Sequence, residues 1–179
     1  MAVLFVSHAS ADDAAVRDVE AWLDAKGFTD RFVDHSGIVA GEKWANRLRD
    51  EAASCRVVLC FVSDNWLGSD ECFGEFKAAW YMGKRIVPLF APSPGGTTRP
   101  DRLAKVQAED QGLDLAPCLA PDGRLDLARD AEVGRRLERG LRAGGALAKV
   151  VRPIEIEFLW RPQLRDPDDE MAPEAMRAR

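Results

Sequence analysis

Four short apolar runs along this chain each stop abruptly in polar residues. Val3-Leu-Phe-Val6 gives way to Ser7-His8, and Arg31-Phe-Val33 to Asp34-His35-Ser36. Val57-Val-Leu-Cys-Phe-Val62 gives way to Ser63-Asp64, and Ile86-Val-Pro-Leu-Phe90 runs on to Pro92-Ser-Pro-Gly-Gly96. Between these runs the apolar positions recur at helical spacing. Val16, Val19 and Leu23, with Trp22 alongside, predict a helix from about residue 12 to Gly27, capped by Ser10 or Asp12. Trp44, Leu48 and Ala52 predict a second helix over residues 42–54, and Cys72, Phe76, Ala79 and Gly83 a third over 69–83. Two prolines and two glycines make residues 92–100 a loop. A short helix over 101–109, a weak strand over 113–116 and a last helix over 126–143 follow. In that last helix Val133, Leu137 and Leu141 are the buried positions, and Gly144-Gly145 is the stop.

Strand and helix alternating in this way predict an α/β fold: a flavodoxin-like, doubly wound, five-stranded parallel sheet flanked by helices. Right-handed crossovers place the carboxyl end of every strand on one rim. Ligands of such sheets bind outside that rim, where the winding reverses, which in this strand order is between strands one and three. Ser7 and His8 follow strand one, and the segment after strand three leads to Glu75. Two polar features of the chain are thereby expected to face each other across one crevice.

Beyond Lys149 the pattern changes. Ile154, Ile156, Phe158 and Trp160 alternate with Glu155, Glu157 and Leu159, which suits an extra edge strand or an extended docking segment. Residues 161–179 carry three prolines and an acidic run from Asp166 to Glu170, the composition of a disordered tail. The expected organisation is therefore one domain over 1–149 and a docking segment with a tail over 150–179.

Composition narrows the function. With 179 residues, 46% of them hydrophobic, the chain has enough apolar surface for a real core. A formal charge of −5 argues against nucleic acid as the main partner. The arginines between 124 and 142 are interleaved with Asp126, Asp130, Glu132 and Glu138, the pattern of a solvated helix face. No basic n-region precedes the apolar start, and no run approaches the ~20 apolar residues of a membrane span. Four cysteines without CxxC spacing read as reduced thiols of a cytoplasmic protein. His8 and His35 are the only histidines, so a zinc site has no support and no metal is expected.

Glu75 is the leading catalytic candidate. If its helix starts near Ser69, its carboxylate lies roughly 9 Å down from the rim at ~1.5 Å per residue. It borders the buried stripe, and partial burial raises a carboxylate pKa. Glu71, four residues earlier, adds repulsion. By periodicity alone, a solvated surface glutamate is the simpler reading. His8 reads either as a loop histidine with local hydrogen bonds or as part of a polar pocket. Asp34 reads as a turn former or as an anchor for a ribose or a loop. Gly41 permits a tight turn, and Trp44 is a core anchor or a stacking surface for a base. There is no GxGxxG, GxxxxGK[ST] or GxSxG. Ser7 and His8, adjacent in sequence, do not make a triad. Asp12-Asp13 lies too far past strand one to serve as a receiver domain's metal-binding pair.

In order along the chain, Val3-Leu-Phe-Val-Ser-His-Ala-Ser-Ala-Asp12 resembles the first box of a TIR (Toll/interleukin receptor) domain. Phe32-Val-Asp34 and Ile38-Val-Ala-Gly-Glu-Lys-Trp44 resemble its second strand and BB loop. Val57 to Val62, Ser63-Asp-Asn-Trp66, Ser69 and Cys72-Phe-Gly-Glu75 resemble its third box, and Gly83-Lys-Arg-Ile-Val-Pro88 the approach to its fourth strand. The likeness covers about residues 3–143 and is greatest to the bacterial, enzymatic branch. Such a resemblance implies hydrolysis of NAD⁺ to nicotinamide and ADP-ribose or a cyclised form, with Glu75 catalytic. It implies NAD⁺ as substrate with no cofactor and self-association through the BB loop at residues 34–44; Ser7, His8, Asp34, Gly41 and Trp44 are the candidate substrate-binding residues. It also implies antiviral defence signalling in the cytoplasm; the docking-like segment leads us to expect a sensor or regulator acting in trans through residues 154–160. The alternative it leaves is a non-enzymatic TIR adaptor working through TIR–TIR contacts. One departure stands out: enzymatic members often carry Trp four residues before the glutamate, where this chain has Glu71.

Overall fold

A computed structural model of the chain describes residues 3–33, 54–93, 96–109 and 112–146. All but the last residue of the helix expected over 42–54, the site candidates Asp34, Gly41 and Trp44, and the segment 150–179 lie outside the described residues. Strands β1 (Leu4–Ser7), β2 (Arg31–Val33), β3 (Val57–Val62), β4 (Arg85–Phe90) and β5 (Leu113–Asp114) form one sheet in the order β2-β1-β3-β4-β5. Every pairing is parallel. This is the flavodoxin-like order, and the winding reverses between β1 and β3 as the sequence predicts.

Alternating strand residues feed two cores, because successive side chains leave a strand on opposite faces. On one face Leu4, Val6, Val57, Leu59, Phe61 and Leu89 meet helix α1 (Asp13–Ala25) through Val16, Val19 and Leu23. The same core takes Val133, Leu137 and Leu141 of α5 (Ala131–Ala143). On the other face Phe5, Val58, Cys60, Val62 and Ile86 meet α2 (Asp64–Gly68), α3 (Asp70–Tyr81) and α4 (Pro100–Glu109). There Trp66, Cys72, Phe76, Ala79 and Val106 fill the space between layers. β3 is buried over its whole length, as a central strand covered on both faces must be.

Three element boundaries differ from the sequence reading. Ser10–Asp12 forms a single 3-10 turn and α1 begins only at Asp13. The stretch after β3 is a separate short helix, α2, before α3 starts at Asp70. Each is announced by the same Ser-Asp pair: Ser63 accepts from the Trp66 N–H, and Ser69 from the Cys72 N–H. The last helix starts at Ala131 rather than near Asp126, because Asp130 caps it by accepting from the Glu132 and Val133 N–H groups. Asp126 closes a preceding turn instead, accepting from the Ala128 N–H.

Strand register creates a notch in the rim. Ser7, the last residue of β1, pairs with Cys60, while β3 continues for two more residues to Val62. At ~3.3 Å per residue the β1 end is recessed by about 7 Å relative to its neighbour. The notch falls at the switch point, where a ligand of this fold enters.

α5 ends close against the opposite edge of the sheet. A Cβ at Gly144 would meet Val57 Cγ2 at 2.3 Å and Arg85 Cδ at 2.8 Å, so the helix terminus reaches β3 and β4 only because this residue lacks a side chain. Gly144→Ala is expected to destabilise the domain by about 1–3 kcal/mol through overpacking, read as a lower urea midpoint at unchanged slope. An unchanged midpoint would contradict this packing.

Candidate active site

Glu75 lies in the second turn of α3, half-buried, beside the buried stripe of Cys72, Phe76 and Ala79. Three residues past Cys72, it sits about 60° around the helix from it. Cys72 itself faces the end of β1: its thiol donates to the His8 carbonyl oxygen at 3.4 Å. Glu75 lies about 4.5 Å further along the helix axis than Cys72 at ~1.5 Å per residue, one turn beyond the residue that touches the chain just after β1.

Two further contacts fix this arrangement. Trp66 is fully buried, and its indole N–H donates to Ser7 Oγ at 2.9 Å inside the molecule. Asp12 accepts from Ser63 Oγ at 2.5 Å and from Asn65 Nδ2 at 2.8 Å. β1 and its following loop are thereby joined to α2 and α3 at three points: Ser7 to Trp66, His8 to Cys72, and Asp12 to Ser63 and Asn65. Aromatic packing stiffens the helix side, with Trp66 meeting Phe73 and Phe76 edge-on and Phe73 stacked on Phe76. Arg102 of α4 lies over the Phe73 ring at 4.8 Å, donates to the Leu67 and Ser69 carbonyls, and pairs with Asp70.

The structure assigns the other candidates definite places. Ser7 is 1% exposed and is occupied with the Trp66 indole. The His8 ring is buried and its Nε2 lies 2.8 Å from Asp13 Oδ1, so what His8 presents at the rim is main chain. Glu71 is exposed, one turn before Glu75. Sequence reading missed Asp12, whose carboxylate makes no capping bond at the start of α1 and is used across the crevice instead. It also missed Asp64, which gathers the loop after β4 by accepting from Thr97 Oγ1 at 2.7 Å and from the Thr98 N–H at 2.9 Å. The Thr97 hydroxyl, with the Thr98 N–H, holds the Asp64 carboxyl below its usual range.

Among the described residues no cluster of histidine, cysteine or acidic side chains could hold a metal ion, and no helix is long and apolar enough to cross a membrane. A separate cleft of about 380 Å³ opens beside α1, lined by Trp22, Asp18, Asp122, Arg124 and Asp126. It belongs to the α1 side of the sheet, and its Asp18 is engaged by Arg124 and the Leu125 N–H. Its polar groups hold the structure together rather than converging on a ligand.

Electrostatics at the notch offer a direct check on where the Glu75 carboxylate lies. Burial raises the Cys72 thiol to about 11, and the charges of Glu75 and Glu71 add to that rise. At pH 8 about one Cys72 in a thousand is then thiolate, the reactive form. Glu75→Gln is expected to lower the Cys72 pKa, so that alkylation of this thiol in the folded protein sets in at a lower pH. An unchanged alkylation profile would place the carboxylate away from Cys72.

The chain matches the TIR domain family over residues 4–117. Among solved structures it is similar to the TIR domain of the Toll-related receptor TRR-2 from Hydra magnipapillata. The TM-score is 0.58 and the identity 14%, with 79% of this chain and 99% of that chain covered, a likeness of fold. The TIR domains of the activated Roq1 resistosome, which directly recognizes the pathogen effector XopQ, superpose too loosely to bear on the site. There the TM-score is 0.42 at 17% identity, over 85% of this chain and 89% of that one. No curated protein matches. The family match extends from the first residue of β1 into the turn that follows β5, and the five-stranded parallel sheet agrees with it; the chain belongs to the TIR domain family.

Proposed function

We propose that this TIR domain is an NAD⁺ glycohydrolase in which Glu75 is the catalytic carboxylate. The observation that supports this most is the placement of Glu75 on the helix face that meets the end of β1 through the Cys72–His8 contact. A lone carboxylate suits the chemistry. Ordinary glycosidases need a second group to protonate the departing oxygen. Nicotinamide is a cation in NAD⁺ and leaves neutral, so no acid is required. What remains is to stabilise an oxocarbenium-like ribose and hold its hydroxyls, which a fixed negative charge does by electrostatics and hydrogen bonding. Water, or the adenine of the same molecule, then attacks the anomeric carbon, giving ADP-ribose or a cyclic product.

In this reading Ser7 acts by holding Trp66 in place, and His8 lines the notch with its main chain. Asp34, Gly41 and Trp44 supply the remaining contacts to the dinucleotide. Self-association through residues 34–44 completes the site, no cofactor is needed, and a regulator engages residues 154–160. The setting that fits is bacterial antiviral defence in the cytoplasm, with NAD⁺ depletion as the output. Glu71 favours a second reading, a TIR adaptor that signals by TIR–TIR contacts, because an exposed acid stands where enzymatic relatives often carry Trp.

Concentrated protein incubated with NAD⁺ separates the two. The enzyme reading expects nicotinamide release that falls at least ~100-fold in Glu75→Gln. Release equal in both proteins, or absent from the wild type, would favour the adaptor.

A further inference from the structure

The Asp12 carboxylate bridges the two sides of the crevice. It stands at the start of α1, where an aspartate ordinarily caps the helix, yet it makes no capping bond. Both of its oxygens instead reach residues more than fifty positions away, Ser63 and Asn65, at the start of α2. The chemistry calls for a carboxylate. The Ser63 hydroxyl already accepts from the Trp66 N–H, so its hydrogen is left to donate, and the Asn65 amide also arrives as a donor. Two incoming donors need a group that only accepts.

α2 is the lever through which this bond acts. It carries Trp66, which bonds to Ser7, and it ends at Ser69, the residue that also caps α3. A shift of α2 is thereby passed to the first turns of α3, where Cys72 meets His8 and Glu75 follows. We infer that Asp12 is a positioning residue of the proposed active site: its bonds to Ser63 and Asn65 set the distance between the Glu75 helix and the end of β1. This inference rests on the NAD⁺ reading for its catalytic consequence, and on geometry alone for the clamp.

The test uses the full chain carrying Asp12→Asn, which keeps shape and offers one wrong-way amide, with Asn65→Ala as a second variant that removes only the other arm. Amide hydrogen exchange is followed by mass spectrometry, and NAD⁺ cleavage is followed in parallel. The clamp predicts faster exchange in residues 8–12 and 64–75 together, with residues 86–90 and 131–143 unchanged. It predicts kcat lower by about 10- to 100-fold in Asp12→Asn, a smaller loss in Asn65→Ala, and KM within about twofold of the wild type. Exchange that rises only around residues 10–16 would mean a weakened helix start. Exchange that rises everywhere would mean general loss of stability. Either outcome overturns the inference, as does an unchanged kcat in an active enzyme. A wild type that releases no nicotinamide sinks the NAD⁺ reading instead, and the exchange pattern then decides the clamp alone.

Discussion

A tryptophan ring wholly withdrawn from water brings its N–H with it, and that N–H must find an acceptor or cost the fold about 1–3 kcal/mol. In this domain the acceptor for Trp66 is the hydroxyl of Ser7, the last residue of β1. That hydrogen bond ties α2 to the β1–β3 junction. Because a single residue, Ser69, separates α2 from α3, the start of α3 is tied to it as well. The Cys72–His8 contact and the Asp12 bridge join the same elements at two further points.

Register supplies the other half of the geometry. β1 stops two residues before β3, and just past its end the His8 carbonyl meets Cys72 of α3, one turn before Glu75. The negative charge of Glu75 opposes ionisation of the neighbouring Cys72 thiol.

The periodicity of the chain reveals the strands and the helix face that carries Cys72 and Phe76, because burial on both sides of a parallel sheet leaves long, unbroken apolar runs; the strand order followed from the fold class, not from the runs themselves. Glu75 was legible only as a border position; periodicity cannot tell a rim carboxylate from a solvated one, and the resemblance to TIR boxes is what singled it out. Asp12 was misread because an aspartate before an amphipathic stretch has the same local signature whether it caps its own helix or reaches across the fold. α2 was missed for a related reason: five residues are too few to show a helical period, and the repeated Ser-Asp pair at 63–64 and 69–70 was the available sign. Ser7 and His8 were found as rim residues, while their side chains turn inward, Ser7 to Trp66 far along the chain and His8 to Asp13 five residues on.

The central claim is that Glu75 confronts a ribose at the β1 notch. The most direct measurement is a crystal structure of Glu75→Gln soaked with NAD⁺. The account predicts the nicotinamide ribose seated between the His8 main chain and the side chain at position 75, with a ribose hydroxyl about 3 Å from that side chain. Dinucleotide bound elsewhere, with position 75 facing solvent or packed against protein alone, would contradict it.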